Sequence, residues 1–232
     1  MNNFFGVLLL LAGLPLVAQT DLSGLVNVYG ILQSQSNCPP TIWVSDGTVF
    51  APGMAILIIQ MGNATIDTDN SNRFGNITDL NGSGRYEYNR IRGISGNELE
   101  LENSLLHTYT PQRTQVVGSR IYSSATVTET LRPQPWNGTT GGVLFVECTD
   151  RLTLNADVDA SGAGCRGGEA VVYDNISCSV LTFNRAYSYA TGNWRGAPKG
   201  EGIAPFVSGA EVGRGPQANG GGGGNNHNSG GG

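Results

Sequence analysis

Apolar and polar residues alternate along most of this chain, and no stretch repeats its apolar positions at helical spacing. The clearest alternation is Glu98-Leu99-Glu100-Leu101-Glu102, with leucines on one face and carboxylates on the other. A slip of one residue would bury the charges, so the register is strongly specified. Ser95-Gly96-Asn97 just before it supplies hairpin turn chemistry. "TIWVSDG", "RYEYNRI" and "TQVVGSRIY" read as further short strands bounded by Gly, Asn and Pro. "MAILIIQM" is apolar on both faces and predicts a central strand covered on both sides. Residues 19–130 are therefore expected to form a compact antiparallel β-barrel or sandwich, with "DTDNSNRFGN" as its longest surface loop.

The rhythm changes at "LRPQPWNGTTGG", where Pro133 and Pro135 cannot donate in a central ladder. Beyond it, Val143 to Cys148 reads as one strand, Thr149-Asp150 as a corner and Arg151 to Ala160 as a second strand. Leu152, Leu154, Ala156, Val158 and Ala160 share one face of that strand, with Thr153, Asn155, Asp157 and Asp159 opposite. Short strands joined by glycine corners suit the coils of a parallel β-helix, and one such coil cannot bury its stacking face alone. The expected fold is all-β. A small antiparallel β-barrel or sandwich precedes parallel β-helix-like coils over 131–215, with an insertion at 163–200, and a glycine-rich segment fills 216–232. That last segment reads as continuing past Gly232, because extended glycine chains can bond to one another side by side where a free tail would find nothing to offset its ordering.

Composition places the chain outside the cytoplasm. Phe4 to Val17 is an apolar run of fourteen residues followed by Ala18, the form of a secretory signal peptide over 1–18. The expected location is secreted or cell-surface, with no membrane span after signal removal. Charged residues make up 13% of the chain, and Lys199 is its only lysine. The net charge of −5 and the scattered arginines leave no basic stripe, which excludes nucleic acid as a partner. Cys38, Cys148, Cys165 and Cys178 contain no C-x-x-C pair, so two disulfides are expected in an exported chain. Three connectivities are open; Cys165 with Cys178 and Cys38 with Cys148 is the favoured one.

Candidate chemistry is sparse. Gly162-Ala163-Gly164-Cys165-Arg166-Gly167 matches a dinucleotide fingerprint in letters, but the residues after it are too β-prone for the required helix, so no cofactor is expected. Asp157 and Asp159 share a strand face and could approach one calcium ion, although outward aspartates are ordinarily just solvated. His107 and His227 are far apart, and no hydrolytic motif accompanies them. Phe183, Tyr187, Tyr189, Trp194 and Phe206 cluster in sequence; Tyr187, Tyr189 and Trp194 are the candidates for stacking on sugar rings, against simple packing of the insertion. Asn63, Asn76, Asn81, Asn137 and Asn175 sit in N-x-S/T sequons that turn chemistry explains equally well.

"MAILIIQMGNATIDTDNS", "FGNITDLNGSGRYEYNRI", "WNGTTGGVLFVE", "LTLNADVDASGAGCRGG" and "GEGIAPFVSGAEVGRGPQANGGGGGNNHNSGGG" together resemble the N-terminal part of large secreted surface proteins of gliding bacteria, of the gliding-motility-associated, type IX secretion substrate type. The resemblance covers roughly residues 26–232 and implies an outer-surface location and an adhesin-like, multi-domain parent chain. It implies no catalytic residues. The chain is accordingly expected to be a non-catalytic structural or adhesive surface protein that contacts glycan or another cell surface and continues beyond Gly232. The alternatives are a carbohydrate-active β-helix enzyme, a lyase or hydrolase whose groove lies in further coils, and a passive spacer.

Overall fold

A computed structural model of the chain describes residues 19–172 and 186–225 and the backbone of Asn228–Ser229. Residues 1–18, expected to be a signal peptide, and Cys178, Phe183, Asn175 and His227 lie outside the described residues. Among the described residues there is no helix, and none long and apolar enough to cross a membrane.

Six strands close into an antiparallel barrel: β2 (Val28–Asn37), β3 (Pro40–Val44), β4 (Ala55–Gln60), β7 (Tyr86–Ser95), β8 (Glu98–Leu101) and β9 (Thr114–Ser119), in the order β2-β3-β8-β7-β4-β9. Closure removes sheet edges, so no barrel strand is left with an open ladder. As the alternation requires, Leu99 and Leu101 are fully buried while Glu98 and Glu100 face outward. Across the hairpin, Arg92 Nη1 reaches Glu100 Oε1 at 3.2 Å. The "MAILIIQM" strand, β4, lies between β7 and β9 as a central strand. Leu32, Ile42, Ile56, Ile58, Ile91 and Val116 lead the barrel core. The Phe50 ring fills the space that Gly30 and Gly118 leave free, 3.0 Å from where either Cβ would stand.

A second sheet runs parallel: β1 (Thr20–Gly24), β10 (Ile121–Leu131) and β11 (Glu147–Leu154), with β10 in the middle. The expectation for 19–130 places β1 and β10 in the barrel, whereas they pair with each other outside it. Parallel neighbours need a long crossover, and the whole barrel is that crossover: the chain leaves at Gly24, builds the barrel and returns at Ile121. Side chains stack in register along the sheet, Leu22 beside Val127 and Val127 beside Leu154. Leu22, Ala125, Val127 and Leu131 form a core of their own. Leu152, Leu154 and Val158 share their face but are 39%, 59% and 48% exposed, because β11 is the outer strand.

The cysteine pairing differs from expectation. Cys38, at the turn between β2 and β3 of the barrel, and Cys148, on β11 of the parallel sheet, are free thiols on different sheets, so no Cys38–Cys148 bridge forms. Cys165 is likewise free and exposed. Burial pushes the Cys148 thiol up, with Glu147 adding to the shift.

The glycine-rich region is packed. Four extended passes, 187–189, 197–201, 211–215 and 221–224, bond laterally through their backbones. Gly215 N donates to Tyr187 O (2.8 Å), Gly213 N to Ala197 O (2.9 Å), Gly223 N to Gly213 O (2.8 Å) and Gly200 N to Gly221 O (2.8 Å). A Cβ at Gly223 would collide with the Ala197 carbonyl oxygen, and one at Gly202 with that of Gln217, so glycine is required for the approach. This layer docks on the excursion between β4 and β7, which carries the short strands β5 (Thr65–Ile66) and β6 (Ile77–Asp79). Ala64, Ala204 and Ala218 form the apolar contact, and Asn70 Oδ1 accepts from Tyr187 N. The "DTDNSNRFGN" loop thus folds back, with Phe74 buried against Gly215. The remaining pair, β12 (Val171–Val172) and β13 (Asn228–Ser229), is antiparallel.

The single lysine is part of this seam. Lys199 is 2% exposed, its Nζ lies 3.5 Å from the Phe74 ring centroid, and it has no hydrogen-bond partner among the described residues. Burial pushes its ammonium down from 10.5 to about 8, against the opposing field of Glu211. Between those values the unfolded chain binds more protons than the folded one, so stability rises with pH there. Lys199→Met should raise the thermal midpoint at neutral pH and abolish the wild-type gain between pH 8 and pH 10.5, measured by calorimetric melts across that window. A K199M midpoint that follows the same pH dependence as wild type would reject this assignment.

Candidate functional site

A groove starts at the seam between the barrel and the glycine-rich layer and continues over the barrel's own loops. Three adjoining cavities of about 360, 440 and 570 Å³ share Asn63 in their walls. The first two also share Gln112, Arg113 and Thr139, and Thr110 is common to the last two, so the three form one groove. At one end Trp136 and Phe206 supply apolar walls. At the other, the turn around Asn81 and Gly82 supplies polar ones.

Several separate segments meet here, and buried amides hold some of them. Gln60, at the end of β4, is almost wholly buried; its Nε2 donates to Gly62 O (3.0 Å) and Asn81 O (2.8 Å), and its Oε1 accepts from Thr110 N (3.0 Å). One side chain therefore satisfies three loop backbones that no ladder reaches. Gln115, on β9, makes a reciprocal pair with Gly141, donating to its O and accepting from its N, each at 2.9 Å. Asn27 does the same for Phe145, accepting from its N at 3.0 Å and donating to its O at 2.6 Å. These bonds fasten the connection that carries Trp136 to the barrel.

Two groove residues have left-handed or rarer backbone. Asn63 has φ 121° and Gln112 φ 61°. Such residues cost about 1–3 kcal/mol and persist only where their surroundings over-determine them. Here Asn63 N donates to Ile203 O (2.9 Å) and Gln112 N to Leu32 O (2.9 Å). Both strained residues line the groove.

The indole of Trp136 is fixed by its Nε1–H bond to Glu201 Oε2 at 3.0 Å. Arg166 binds the same carboxylate, with its N 2.9 Å from Oε2 and its Nε 3.0 Å from Oε1. Burial pushes the Glu201 carboxyl up, but the Arg166 bonds and charge, with Trp136, outweigh this and hold it below the ordinary carboxylate range. A general acid needs the opposite shift. The other groove carboxylate, Asp79, accepts from Asn81 N at 2.8 Å. The arrangement offers stacking faces, amides and guanidinium groups, which are binding chemistry.

The residues proposed from sequence lie elsewhere. Tyr187 stacks on the Arg214 guanidinium at 4.0 Å, Tyr189 bridges to Val212, and Trp194 lies 4.9 Å from Arg195; none of the three lines these cavities. Phe206, from the same aromatic string, does, and is 46% exposed. Asp159 accepts from Ser161 N at 2.8 Å and pairs with Arg132 at 2.9 Å; the Ser161 bonds, then Arg132, lower its carboxyl. Asp157 accepts from Leu131 N through its backbone oxygen. Among the described residues no three His, Cys, Asp or Glu side chains converge as a metal site.

No protein-family model matches the chain, and no curated protein matches it. Among solved structures, it is similar to the Gp54 tailspike of Acinetobacter baumannii bacteriophage AP22, in complex with A. baumannii capsular saccharide. That likeness has 13% identity and a TM-score of 0.25, and spans 46% of this chain and 17% of that one.

Gln60→Leu leaves two carbonyls and an N–H without their partner, and should lower unfolding free energy by roughly 2–3 kcal/mol in urea melts. Gln33→Leu, on the barrel exterior, serves as the control. Equal stability of Q60L and wild type would contradict the amide's role.

Proposed function

We propose that this chain is a non-catalytic, exported cell-surface protein that holds glycan in the groove between its barrel and its glycine-rich layer. The observation that carries this reading is a preformed cleft with two aromatic walls, strained amide residues in its lining, and a carboxylate at its aromatic end already committed to Arg166 and Trp136. Sugar rings offer an apolar face to aromatics and hydroxyls to amides, and such a cleft meets both. With Glu201 held ionised by Arg166 and Trp136, the groove has a donor-locked carboxylate where a glycosidase needs a proton donor.

The parallel sheet fits the role of a stalk. In this proposal β1, β10 and β11 are the first coils of a parallel β-helix, and the barrel sits between its first two strands as a head. The in-register Leu22, Val127 and Leu154 stack supports this, as do the exposed Leu152 and Val158, which a further coil of the same chain beyond Gly232 would cover. The resemblance to secreted surface proteins of gliding bacteria agrees with an exported, multi-domain parent.

Immobilised glycan arrays test the reading. Trp136→Ala and Phe206→Ala should each weaken retention about tenfold, the effect of losing roughly 1–1.5 kcal/mol of stacking. Tyr187→Ala and Trp194→Ala should leave it unchanged. Release of new reducing ends from a bound polysaccharide would contradict the non-catalytic assignment.

A further inference from the structure

We infer that the groove selects acidic saccharides, with Arg113 pairing the sugar carboxylate; this rests on the glycan reading above. Four charged residues line the groove: Asp79, Arg85, Arg113 and Glu201. Glu201 is spoken for by Arg166 and Trp136, and Asp79, whose Oδ1 accepts the Asn81 N–H, lines only the polar end of the groove, away from Arg113. Arg113 is exposed, and among the described residues no carboxylate lies within ion-pair distance of it. It borders both the aromatic cavity and the middle one, so the same residue lines the part of the groove that Trp136 and Phe206 wall and the part next to it.

The backbone carrying Arg113 is set firmly. Its own N–H donates to Thr110 O at 3.2 Å, and the left-handed Gln112 before it is tied to Leu32 O at 2.9 Å. Thr110 N in turn is held by Gln60. A guanidinium on a fixed backbone presents a planar fork that matches a carboxylate with two parallel hydrogen bonds, which an ammonium cannot reproduce. A neutral sugar would leave that charge unanswered and gain only the stacking and amide contacts.

Long-range attraction does not explain the selectivity. The chain carries a net charge of −5, so a polyanion approaching it meets no general pull. Discrimination has to arise at short range, from the guanidinium fork at the aromatic end of the groove; Arg85 lines only the polar end. A uronate, or another sugar bearing a carboxylate on a pyranose ring, combines the needed charge with an apolar ring face.

Titration calorimetry of the full chain with alginate, polygalacturonate and hyaluronate oligosaccharides, each beside its carboxyl-reduced neutral counterpart, tests this. At least one acidic member should bind at least tenfold tighter than its neutral partner. Arg113→Gln should cost that acidic ligand roughly 10- to 100-fold, as expected for a charge-assisted pair, and leave the neutral one unchanged. Arg113→Lys should recover only part of the loss. Trp136→Ala should weaken both members alike. Equal affinity for acidic and neutral members, or an R113Q variant that binds the acid as wild type does, overturns this inference and leaves the glycan reading standing. Failure of every member to bind overturns both.

Discussion

The side-chain amide of Gln60 is the contact on which the site depends. Barrels settle their own backbone groups by closure, but the loops that leave a barrel have no ladder to join. Gln60 answers three of them at once from the end of β4, linking Gly62, Asn81 and Thr110. Gln115 and Asn27 repeat the device on the other side, where Gly141 and Phe145 would otherwise be unpaired. Buried and fully bonded, such amides act as short pieces of sheet inserted where no strand can go. Their geometry keeps the groove open, because each holds a loop at a set distance from the barrel instead of letting it collapse.

The chain uses three backbone regimes, and the barrel's loops, the connection after β10 and the glycine-rich layer meet at that groove. The barrel is a rigid antiparallel core, the three-stranded sheet is parallel with its barrel as crossover, and the glycine-rich layer is built of extended passes with lateral bonds. Each regime is stable for a different reason: apolar burial in the barrel, in-register apolar stacking in the parallel sheet, and close backbone approach in the glycine layer. None of them could supply Trp136, Asn63, Arg113 and Phe206 together. The site exists only at the junction, and the strained backbone of Asn63 and Gln112 marks where the junction constrains the chain most.

Local pattern made the barrel legible. Leu99 and Leu101 against Glu98 and Glu100, and the doubly apolar β4, are periodicity statements that need only neighbouring residues. The glycine run was legible in kind, since side-by-side packing demands residues without Cβ, and Gly222 and Gly223 meet that demand. Partnership was not legible. β1 and β10 alternate as barrel strands do, and nothing in their own residues says that they pair in parallel across a whole domain. The groove was hidden for the same reason: its residues come from segments separated by more than half the chain, with no spacing to detect. Gln60 looked like a polar residue at a strand end, and Asn63 like one more turn asparagine. Of the aromatic string only Phe206 lines the groove, while Tyr187 and Trp194 each carry an arginine over the ring. Cysteine count likewise says nothing about which sheet each thiol occupies.

The central claim is that glycan occupies a preformed groove at this junction. Proton–nitrogen correlation spectra of the protein, recorded while an acidic oligosaccharide is titrated in, test it most directly. The account predicts fast, saturable shifts at the Trp136 indole and at the amides of Asn63, Gln112 and Arg113, with the barrel core unmoved. Shifts centred on Tyr187, Tyr189 and Trp194, or a rearrangement that spreads through the barrel strands, would contradict it.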